Sequence, residues 1–367
     1  MMDFITATLA FLVLLTVLVF FHELGHYWVA RKNGVRVNVF SVGFGPELFG
    51  FYDKNNTRWK FSVIPLGGYV KMYGDGDVTS STSEGTDELS DEELQTTFKA
   101  KSVWQRSAIV AAGPIANFIL AIVLLTGLYT FVGQPYSAAV VSKVMEDSAA
   151  EAAGFVSGDL VVEADGTDID RFEELQRIVQ LGSGEPIEVV VERNSELVNL
   201  TVSPKVDIYK DHNGLEAKRW LIGIVANSGS SYKRFDFPSA VIAAVNETYE
   251  ISIGTFKAIG QMFDGHRSVK ELGGPVKIAE MAGMAAEAGV YYYIFLMALL
   301  SINLGLLNLM PIPMLDGGHL FFYVYEAIRG RPLSERKQEY CFRFGLALVL
   351  SLMVFVTWND VVSKQWF

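Results

Sequence analysis

The sequence has almost no cysteine and little charge. Cys341 is the single cysteine among 367 residues, so no disulfide can form within the chain. Charged residues make up 19% of the sequence, whereas they are about a quarter of an ordinary soluble protein. The net charge of −11 provides no general basic surface, which argues against nucleic acid as a partner. Because 50% of the residues are apolar, the composition indicates a membrane protein with a soluble part attached.

Four apolar stretches are long enough to cross a bilayer as helices, which takes about 20 residues. They cover residues 4–30, 107–132, 291–315 and 342–358. The last stretch is shorter and contains Arg343, whose long side chain can place its charge at the membrane interface. Residues 235–263 are also fairly apolar, but Asn246, Glu247 and Glu250 favour an amphipathic surface helix over a fifth span. We therefore expect four transmembrane helices.

The basic residues near the ends of these spans predict the orientation of the chain, because the cytoplasmic side of a membrane protein is enriched in Lys and Arg. Three follow the first span, three precede the second, and four lie between the third and fourth. These are Arg31, Lys32, Arg36, Lys99, Lys101, Arg106, Arg329, Arg331, Arg336 and Lys337. Between the second and third spans, Lys143 and Lys277 are the basic residues closest to the membrane. We expect both chain ends and residues 131–290 to lie on the outer side.

The loop after the first span has the alternation of apolar and polar residues that is typical of β-strands. "VRVNV" and "RWKFSV" show it on either side of the glycine-rich "GFGP". These strands predict a small sheet that dips into the bilayer, where such backbone is tolerated if it is buried in protein. An ordinary hairpin that braces the first and third spans is the alternative. The acidic, Ser- and Thr-rich residues 75–94 that follow are predicted to be mobile.

A small soluble domain is predicted between the second and third spans. Its strand-like segments flank the helix "RFEELQRIVQLG", in which Phe172, Leu175, Ile178 and Val179 form one apolar stripe. This mixed pattern is typical of an α+β domain. The prediction divides the chain into a membrane part over 1–132, the α+β domain over 133–204, a helical region over 205–289 and a second membrane part over 290–367.

The first span contains three ionisable residues in the stretch "VLVFFHELGHYWVA". Ionisable groups at this depth cost several kcal/mol (about 3 kcal/mol per group on insertion scales) and usually mark a functional site. His22 and His26 are four residues apart, so on a helix both imidazoles lie on one face and can bind a single zinc ion. Glu23 is placed to reach a water on that metal. The alternative is a chance match, because the pattern is short.

A catalytic zinc usually has three protein ligands and leaves a fourth position for water. Asp316 is the favoured third ligand, because it directly follows the third apolar stretch in "NLGLLNLMPIPMLDGGH". Pro311 and Pro313 cannot continue a regular helix there, so broken backbone could project the carboxylate inward. Asp316 could instead be a turn residue, as Asp-Gly pairs often are. His319 is a rival for the third position.

Five motifs together resemble one known family. "HELGH", "GFGP", "IPLGGYVKM", "GPIANFILA" and "NLMPIPMLDGGH" occur in the order found in the site-2 proteases, which are intramembrane zinc metalloproteases. The resemblance extends over nearly the whole chain. It implies one catalytic Zn²⁺ held by His22, His26 and Asp316, with Glu23 as the catalytic residue that activates water.

The resemblance also implies a fold and residues that contact the substrate. The fold is a mainly α-helical membrane protein with four transmembrane helices, a membrane-reentrant β-structure and a PDZ domain inserted between spans two and three. Asn308 is expected to help hold substrate, although it could instead satisfy a hydrogen bond between helices. Gly43, Phe44, Gly45 and Asn117 match further positions that are expected to bind substrate. Well-known bacterial members carry two PDZ domains, whereas this chain has room for one.

A function and a location follow from the same resemblance. The expected substrates are single-span proteins of a bacterial inner membrane, such as anti-sigma factors or signal-peptide remnants. Both termini and the PDZ domain would lie on the periplasmic side, and the PDZ domain would bind a peptide C-terminus or exclude bulky substrates. A non-catalytic membrane scaffold with a PDZ domain is the chief alternative. A transporter is a weaker one, because four spans without an evident repeat do not suit it.

Overall fold

The computed structural model describes residues 4–74, 90–210, 216–226, 231–269 and 272–363. Most of the acidic stretch predicted to be mobile, residues 75–94, lies outside these ranges. The chain folds into two compact units. Unit 1 combines Met1–Leu125 with Gly274–Thr357, and unit 2 combines Thr126–Gly273 with Trp358–Phe367.

The described residues form ten helices and twelve strands. The helices are α1 (Phe4–Lys32), α2 (Asp91–Gln95), α3 (Val103–Phe131), α4 (Ala149–Ala153), α5 (Phe172–Leu181), α6 (Phe237–Phe263), α7 (Pro275–Ala288), α8 (Val290–Leu309), α9 (Asp316–Arg329) and α10 (Glu335–Ser363). The strands are β1 (Val37–Tyr52), β2 (Arg58–Met72), β3 (Gln134–Tyr136), β4 (Val141–Val144), β5 (Leu160–Ala164), β6 (Thr167–Asp168), β7 (Ile187–Arg193), β8 (Glu196–Val202), β9 (Lys205–Lys210), β10 (Glu216–Leu221), β11 (Ile224–Ala226) and β12 (Ser231–Lys233).

Four helices of the described chain are long and apolar enough to cross a membrane, namely α1, α3, α8 and α10. Their number agrees with the four spans predicted from the sequence. The third is shorter than predicted, because α8 ends at Leu309 and not at residue 315. Pro311 and Pro313 follow directly, and proline cannot continue a regular helix. The six residues that separate α8 from α9 therefore lie outside both helices.

The helices of unit 1 pack through small residues and leucines. A Cβ atom placed at Gly25 of α1 would lie 2.2 Å from the backbone oxygen of Ala112 on α3, so these two helices approach at backbone distance. Such close contacts through small residues are typical of membrane helices. Leu14 and Leu18 of α1 are buried together with Leu120 of α3, next to side chains of α7 and α8. These contacts fix the position of α1 against α3.

Strands β1 and β2 form a small sheet in which each strand contributes two paired segments. Residues 39–42 pair with 68–71 on one side and with 58–61 on the other. Residues 58–61 pair in turn with 49–52. Within the described chain, the segments 49–52 and 68–71 have no second strand partner, so they are the two edges of the sheet. The sequence predicted strands at "VRVNV" and "RWKFSV", and in the structure two long, bent strands provide four paired segments.

The bends within β1 and β2 depend on glycine. Gly43 has a φ of 91° and Gly67 a φ of 120°, a backbone conformation that glycine adopts more readily than other residues. A Cβ atom at Gly43 would also lie 2.7 Å from the backbone oxygen of Ile64. Between the bends, the ring of Phe44 stacks on Tyr69 with 6.1 Å between ring centroids. The glycines of "GFGP" and "PLGG" are therefore structural requirements of this sheet.

Unit 2 contains an α+β domain. Its central antiparallel sheet has the order β6-β5-β7-β8, and α5 contributes Leu175 and Val179 to the core beneath it. Beyond the predicted domain boundary at residue 204, β11 pairs with β4, and Ile222 is buried in the same core. The fold is also held by Asp159, which is fully buried and accepts two hydrogen bonds from the Arg193 guanidinium at 2.7 and 2.8 Å.

Helix α6 packs on the α+β domain within unit 2. Its buried Glu247 accepts hydrogen bonds from Arg177 at 2.6 Å and from Arg171 at 3.4 Å. The large apolar side chains that α6 exposes are Phe237, Ile242, Val245, Tyr249, Ile253, Phe256 and Phe263. A helix with a charged, packed face and an exposed apolar face is amphipathic. This agrees with the surface helix predicted for residues 235–263.

Candidate metal centre

Two imidazoles face each other within the first membrane helix. His22 and His26 are one turn apart on α1, and their Nε2 atoms are 3.3 Å from each other. The rings are nearly perpendicular, with 4.8 Å between centroids. Both side chains are largely shielded from solvent. The i, i+4 spacing read from the sequence therefore produces the predicted shared face.

Asp316 reaches the two histidines from the other end of the chain. It is the first residue of α9, directly after the non-helical segment that begins at Met310. Gly317 and Gly318 let the chain fold back on this segment, since a Cβ atom at Gly317 would lie 2.2 Å from the backbone oxygen of Met310. At Gly318 it would lie 2.4 Å from that of Ile312. The two glycines after the aspartate are thus needed to place its carboxylate.

The separations within this group fit a metal site. Nε2 of His22 is 3.3 Å from Oδ2 of Asp316, and Nε2 of His26 is 3.5 Å from Oδ1. Ligands at about 2.0–2.1 Å from a tetrahedral zinc are about 3.3 Å from one another. A direct charged N–H···O⁻ hydrogen bond would be shorter, at about 2.7–2.9 Å. Among the described residues, these three are the His, Cys, Asp and Glu side chains grouped closely enough to hold an ion.

A backbone acceptor fixes the ring orientation of one histidine. Nδ1 of His26 is 2.9 Å from the backbone oxygen of Ile109 on α3. Since a carbonyl oxygen can only accept, this nitrogen carries the proton, and Nε2 presents its lone pair to Asp316 and His22. Metal-binding histidines usually donate their second N–H in this way. His26 therefore has the tautomer that a zinc ligand requires.

Gly113 on α3 provides the space for both rings. A Cβ atom at this position would lie 2.2 Å from Nε2 of His26 and 2.8 Å from Cε1 of His22. Any side chain at residue 113 would therefore occupy the volume of the imidazoles. The sequence shows a glycine here within "AAGPIAN", but glycine is common in membrane helices. Its role could not be recognised without knowing that α3 faces the histidines.

Glu23 lies beside the group and next to an edge of the small sheet. Its side chain is half-buried. A Cβ atom at Gly68 of β2 would lie 3.2 Å from Cγ of Glu23 and 3.0 Å from Cγ1 of Val19, so this edge segment passes directly against α1. A strand edge without a second strand partner, next to a carboxylate, is a place where an extended peptide can be held.

The other residues predicted to act at the site lie in different surroundings. Asn308 is half-buried near the end of α8. Phe44 is 45% exposed between Gly43 and Gly45 at the bend of β1. Asn117 is fully buried on α3, and its amide is 3.1 Å from Nδ1 of His22. The contacts predicted between these residues and a substrate stay predictions.

His319, the rival third ligand, is outside the group of three. It lies one turn beyond Asp316 on α9. Its ring packs near Phe342, with 5.1 Å between centroids, and near Tyr323 at 6.5 Å. The geometry therefore favours Asp316 as the third ligand, which the sequence had ranked first.

Unit 2 has a candidate binding groove of its own. The groove lies between α5 and residues 220–224, the segment that leads into β11. Phe172, Leu175, Val179, Ile222 and Ile224 give it apolar walls, and Gln176, Gln180, Trp220, Leu221 and Gly223 complete the lining. An apolar groove beside a strand and a helix is suited to an extended peptide end.

Comparison with known proteins places the chain in a family. The sequence profile of peptidase family M50 matches residues 10–352. The chain belongs to peptidase family M50. A protein of Agrobacterium fabrum named "Putative zinc metalloprotease Atu1380" is 47% identical over 357 residues, which are 96% of this chain and 95% of that protein. "Metalloprotease MmpA" of Caulobacter vibrioides is 35% identical over 384 residues, which cover 98% of this chain and 96% of that protein.

The family match confirms the site-2 protease resemblance read from the motifs. With its four long apolar helices, the chain is a membrane metalloprotease of family M50. A structural comparison found the PDZ domain of the SdrC-like protein from Listeria monocytogenes, with 21% identity and a TM-score of 0.20. That comparison covers 26% of this chain and 93% of the other.

Proposed function

We propose that this member of family M50 is an intramembrane zinc endopeptidase. It would hydrolyse peptide bonds within or near the transmembrane segments of single-span membrane proteins. The observation that supports this most is the convergence of His22, His26 and Asp316 beside Glu23, in and next to helices that are long and apolar enough to span a membrane. A non-catalytic scaffold would have no use for an intact set of ligands at this depth.

The residues of the site would divide the reaction between them. His22, His26 and Asp316 would hold one Zn²⁺ and leave a fourth position for water. When bound, zinc polarises the carbonyl of the scissile bond and makes a nearby water more acidic. The carboxylate of Glu23 accepts a proton from the attacking water and passes it to the nitrogen of the leaving amine.

The small sheet of unit 1 would hold the substrate. A peptide bond inside a helix is shielded by the hydrogen bonds of that helix, so the substrate must be extended locally before it is cut. The edge at residues 68–71 passes Glu23, and a strand edge can add an extended segment through backbone hydrogen bonds. Gly43, Phe44 and Gly45 would contact the substrate at the bend of β1, and Asn308 would do so from α8.

The substrates and the location are proposed from the family. We expect single-span proteins such as anti-sigma factors that another protease has trimmed, or signal-peptide remnants. The enzyme would lie in a bacterial inner membrane, with both termini and the α+β domain on the periplasmic side, as the Lys and Arg distribution favours. The apolar groove between α5 and residues 220–224 supports a PDZ-like role, namely capture of a freed apolar C-terminus.

Two substitutions test the catalytic proposal. Glu23→Gln in detergent-purified protein should bind zinc with the stoichiometry of the wild type but lower cleavage of a model transmembrane substrate by at least about 100-fold, as loss of a general base does. His22→Ala should lose both zinc and cleavage. Glu92 is an exposed residue of α2, so Glu92→Gln is the matched control and should change neither zinc binding nor cleavage. Cleavage by Glu23→Gln at a rate near that of the wild type would refute the proposal.

A further inference from the structure

Asn117 has a place at the metal centre that the reaction described above does not use. Its side chain is fully buried on α3, and its amide nitrogen is 3.1 Å from Nδ1 of His22. The amide oxygen, Oδ1, has no hydrogen-bond partner, although it is buried. Nearly all buried polar side-chain atoms have a hydrogen-bond partner, so an unpaired one calls for an explanation. Asn117 is too enclosed to meet a substrate, so its partner is the imidazole.

The direction of this hydrogen bond decides whether His22 can bind a metal. The oxygen and nitrogen of an amide are told apart only by their hydrogen bonds. If the amide nitrogen donates to Nδ1, a neutral His22 must carry its proton on Nε2, the atom that faces Asp316 and His26. If the amide oxygen instead accepts from Nδ1–H, Nε2 presents a lone pair to the site. Only the second arrangement makes His22 a ligand.

His26 already shows the second arrangement, and the same face of α3 provides it. Ile109, Gly113 and Asn117 are spaced four residues apart on this helix, so they lie on one face. Ile109 supplies the oxygen for His26, and Gly113 leaves room for both rings. Asn117 occupies the next turn, opposite His22. Each histidine thus meets one buried polar group of α3 through Nδ1, namely the Ile109 carbonyl for His26 and the Asn117 amide for His22.

The position of Asn117 is itself tied to the helix that precedes Asp316. The buried hydroxyl of Ser301 on α8 donates to the backbone oxygen of Asn117 at 2.8 Å. Gly305, one turn later on α8, lies against the same part of α3, because a Cβ atom there would be 3.1 Å from the backbone oxygen of Pro114. One turn of α3 is therefore in contact with His22 on one side and with α8 on the other.

We propose that Asn117 is a positioning residue of the metal centre and not a substrate contact. Its Oδ1 accepts the Nδ1–H of His22, which fixes the tautomer and the orientation of that ring. This inference rests on the proposed zinc site and adds to it the residue on which the affinity of His22 for the metal depends. Such outer partners of metal-bound histidines contribute about 10–100-fold in metal affinity.

The test measures zinc affinity in the full-length protein in detergent, by competition with a chromophoric chelator. Asn117→Leu removes the acceptor at similar volume and should raise the Kd for zinc by about 10–100-fold. Asn117→Asp keeps an acceptor and should stay within about threefold of the wild type, on the same scale. The visible spectrum of the cobalt-substituted protein should change in the Leu variant and be preserved in the Asp variant. Asn199→Leu, at an exposed position of β8 in unit 2, is the matched control, and its zinc affinity should equal that of the wild type.

Two outcomes would overturn the proposal. One is Asn117→Leu with the zinc affinity and cobalt spectrum of the wild type. The other is Asn117→Asp weakened as much as Asn117→Leu, since aspartate cannot donate and such a loss would mean that the amide nitrogen is the partner. Should the Leu variant fail to fold, the Asp variant alone decides between acceptor and donor. Wild-type protein that binds no zinc would instead refute the proposed function.

Discussion

One carboxylate of unit 2 lies where charge is costly and is stabilised by a neighbouring guanidinium. Asp159 in unit 2 is fully buried. Burial opposes ionisation of this carboxyl, but hydrogen bonds from Arg193 and from the Val156 N–H lower its pKa below the usual value. The ion pair thereby links the residue before β5 to the last residue of β7, and these are the two central strands of the sheet. Its contribution to stability must depend on pH.

Because the pKa of Asp159 is lower in the folded domain than in the unfolded chain, its stabilisation is complete above about pH 4 and is lost as the pH falls through the folded pKa. We expect Asp159→Asn to lower the free energy of unfolding of the α+β domain at pH 6 by about 2–3 kcal/mol. Pulse proteolysis in urea, on the full-length protein in detergent, measures this difference.

The variant should also lose part of the pH dependence. Between pH 6 and pH 3, the urea midpoint should fall more in the wild type than in Asp159→Asn, because only the wild type has this carboxylate to protonate. Glu146→Gln, at an exposed position of the same domain, is the control, and its urea midpoint should shift with pH as in the wild type. Equal shifts in Asp159→Asn and in the wild type would contradict the role given to this ion pair.

At the same scale, the grouping of His22, His26 and Asp316 was predictable from the sequence, and its surroundings were not. His22, Glu23 and His26 form a local pattern, and Asp316 follows an apolar run broken by prolines. The oxygen of Ile109 carries no sequence signal, because every residue has a backbone carbonyl. The roles of Gly113 and Asn117 depend on which face of α3 meets α1, and a helix that is apolar all round does not indicate that face.

The strands show the same contrast: short sequence patterns predict where they lie, but not which distant segments they pair with. The alternation in "VRVNV" and "RWKFSV" predicted strands, but the double use of β1 and β2 depends on bends at glycines with positive φ. In unit 2, the pairing of β11 with β4 joins residues about 80 positions apart. No pattern within a short window indicates such a partner, so the groove between α5 and residues 220–224 could not be foreseen.

That groove leads to a prediction about its ligand. Peptides that end in an apolar residue with a free carboxylate should bind the full-length protein, and the same peptides amidated at the C-terminus should bind at least about tenfold more weakly, the factor that corresponds to one charged hydrogen bond. Fluorescence anisotropy of labelled peptides measures this. Gln176→Glu, at the exposed side of the groove, should weaken binding by charge repulsion, whereas Glu173→Gln, on the same helix but outside the groove lining, should not. Equal binding of free and amidated peptides would exclude capture of a C-terminus and favour a steric filter.

For the whole molecule, the number of spans follows from hydropathy, because about 20 apolar residues are needed to cross the bilayer wherever they occur. The predicted third span, residues 291–315, was too long by hydropathy alone, because residues 310–315 are apolar although Pro311 and Pro313 end the helix before them. The sidedness of the chain rests on the distribution of Lys and Arg. It can be tested directly, because the chain has a single natural cysteine to remove.

We expect that, in a Cys341→Ser background, a cysteine at Glu196 is labelled by a membrane-impermeant maleimide added to intact spheroplasts. A cysteine at Lys337 should be labelled only after the membrane is permeabilised. Both positions are exposed, so access of the reagent and not burial decides the result. Glu196 belongs to the α+β domain, whereas Lys337 lies in the first turn of α10. The basic residues at this end of the fourth span are expected in the cytoplasm by the positive-inside rule. Labelling of Lys337→Cys but not Glu196→Cys in intact spheroplasts would mean that the orientation is reversed. The α+β domain would then lie in the cytoplasm and could not meet a substrate that another protease had trimmed on the outer side.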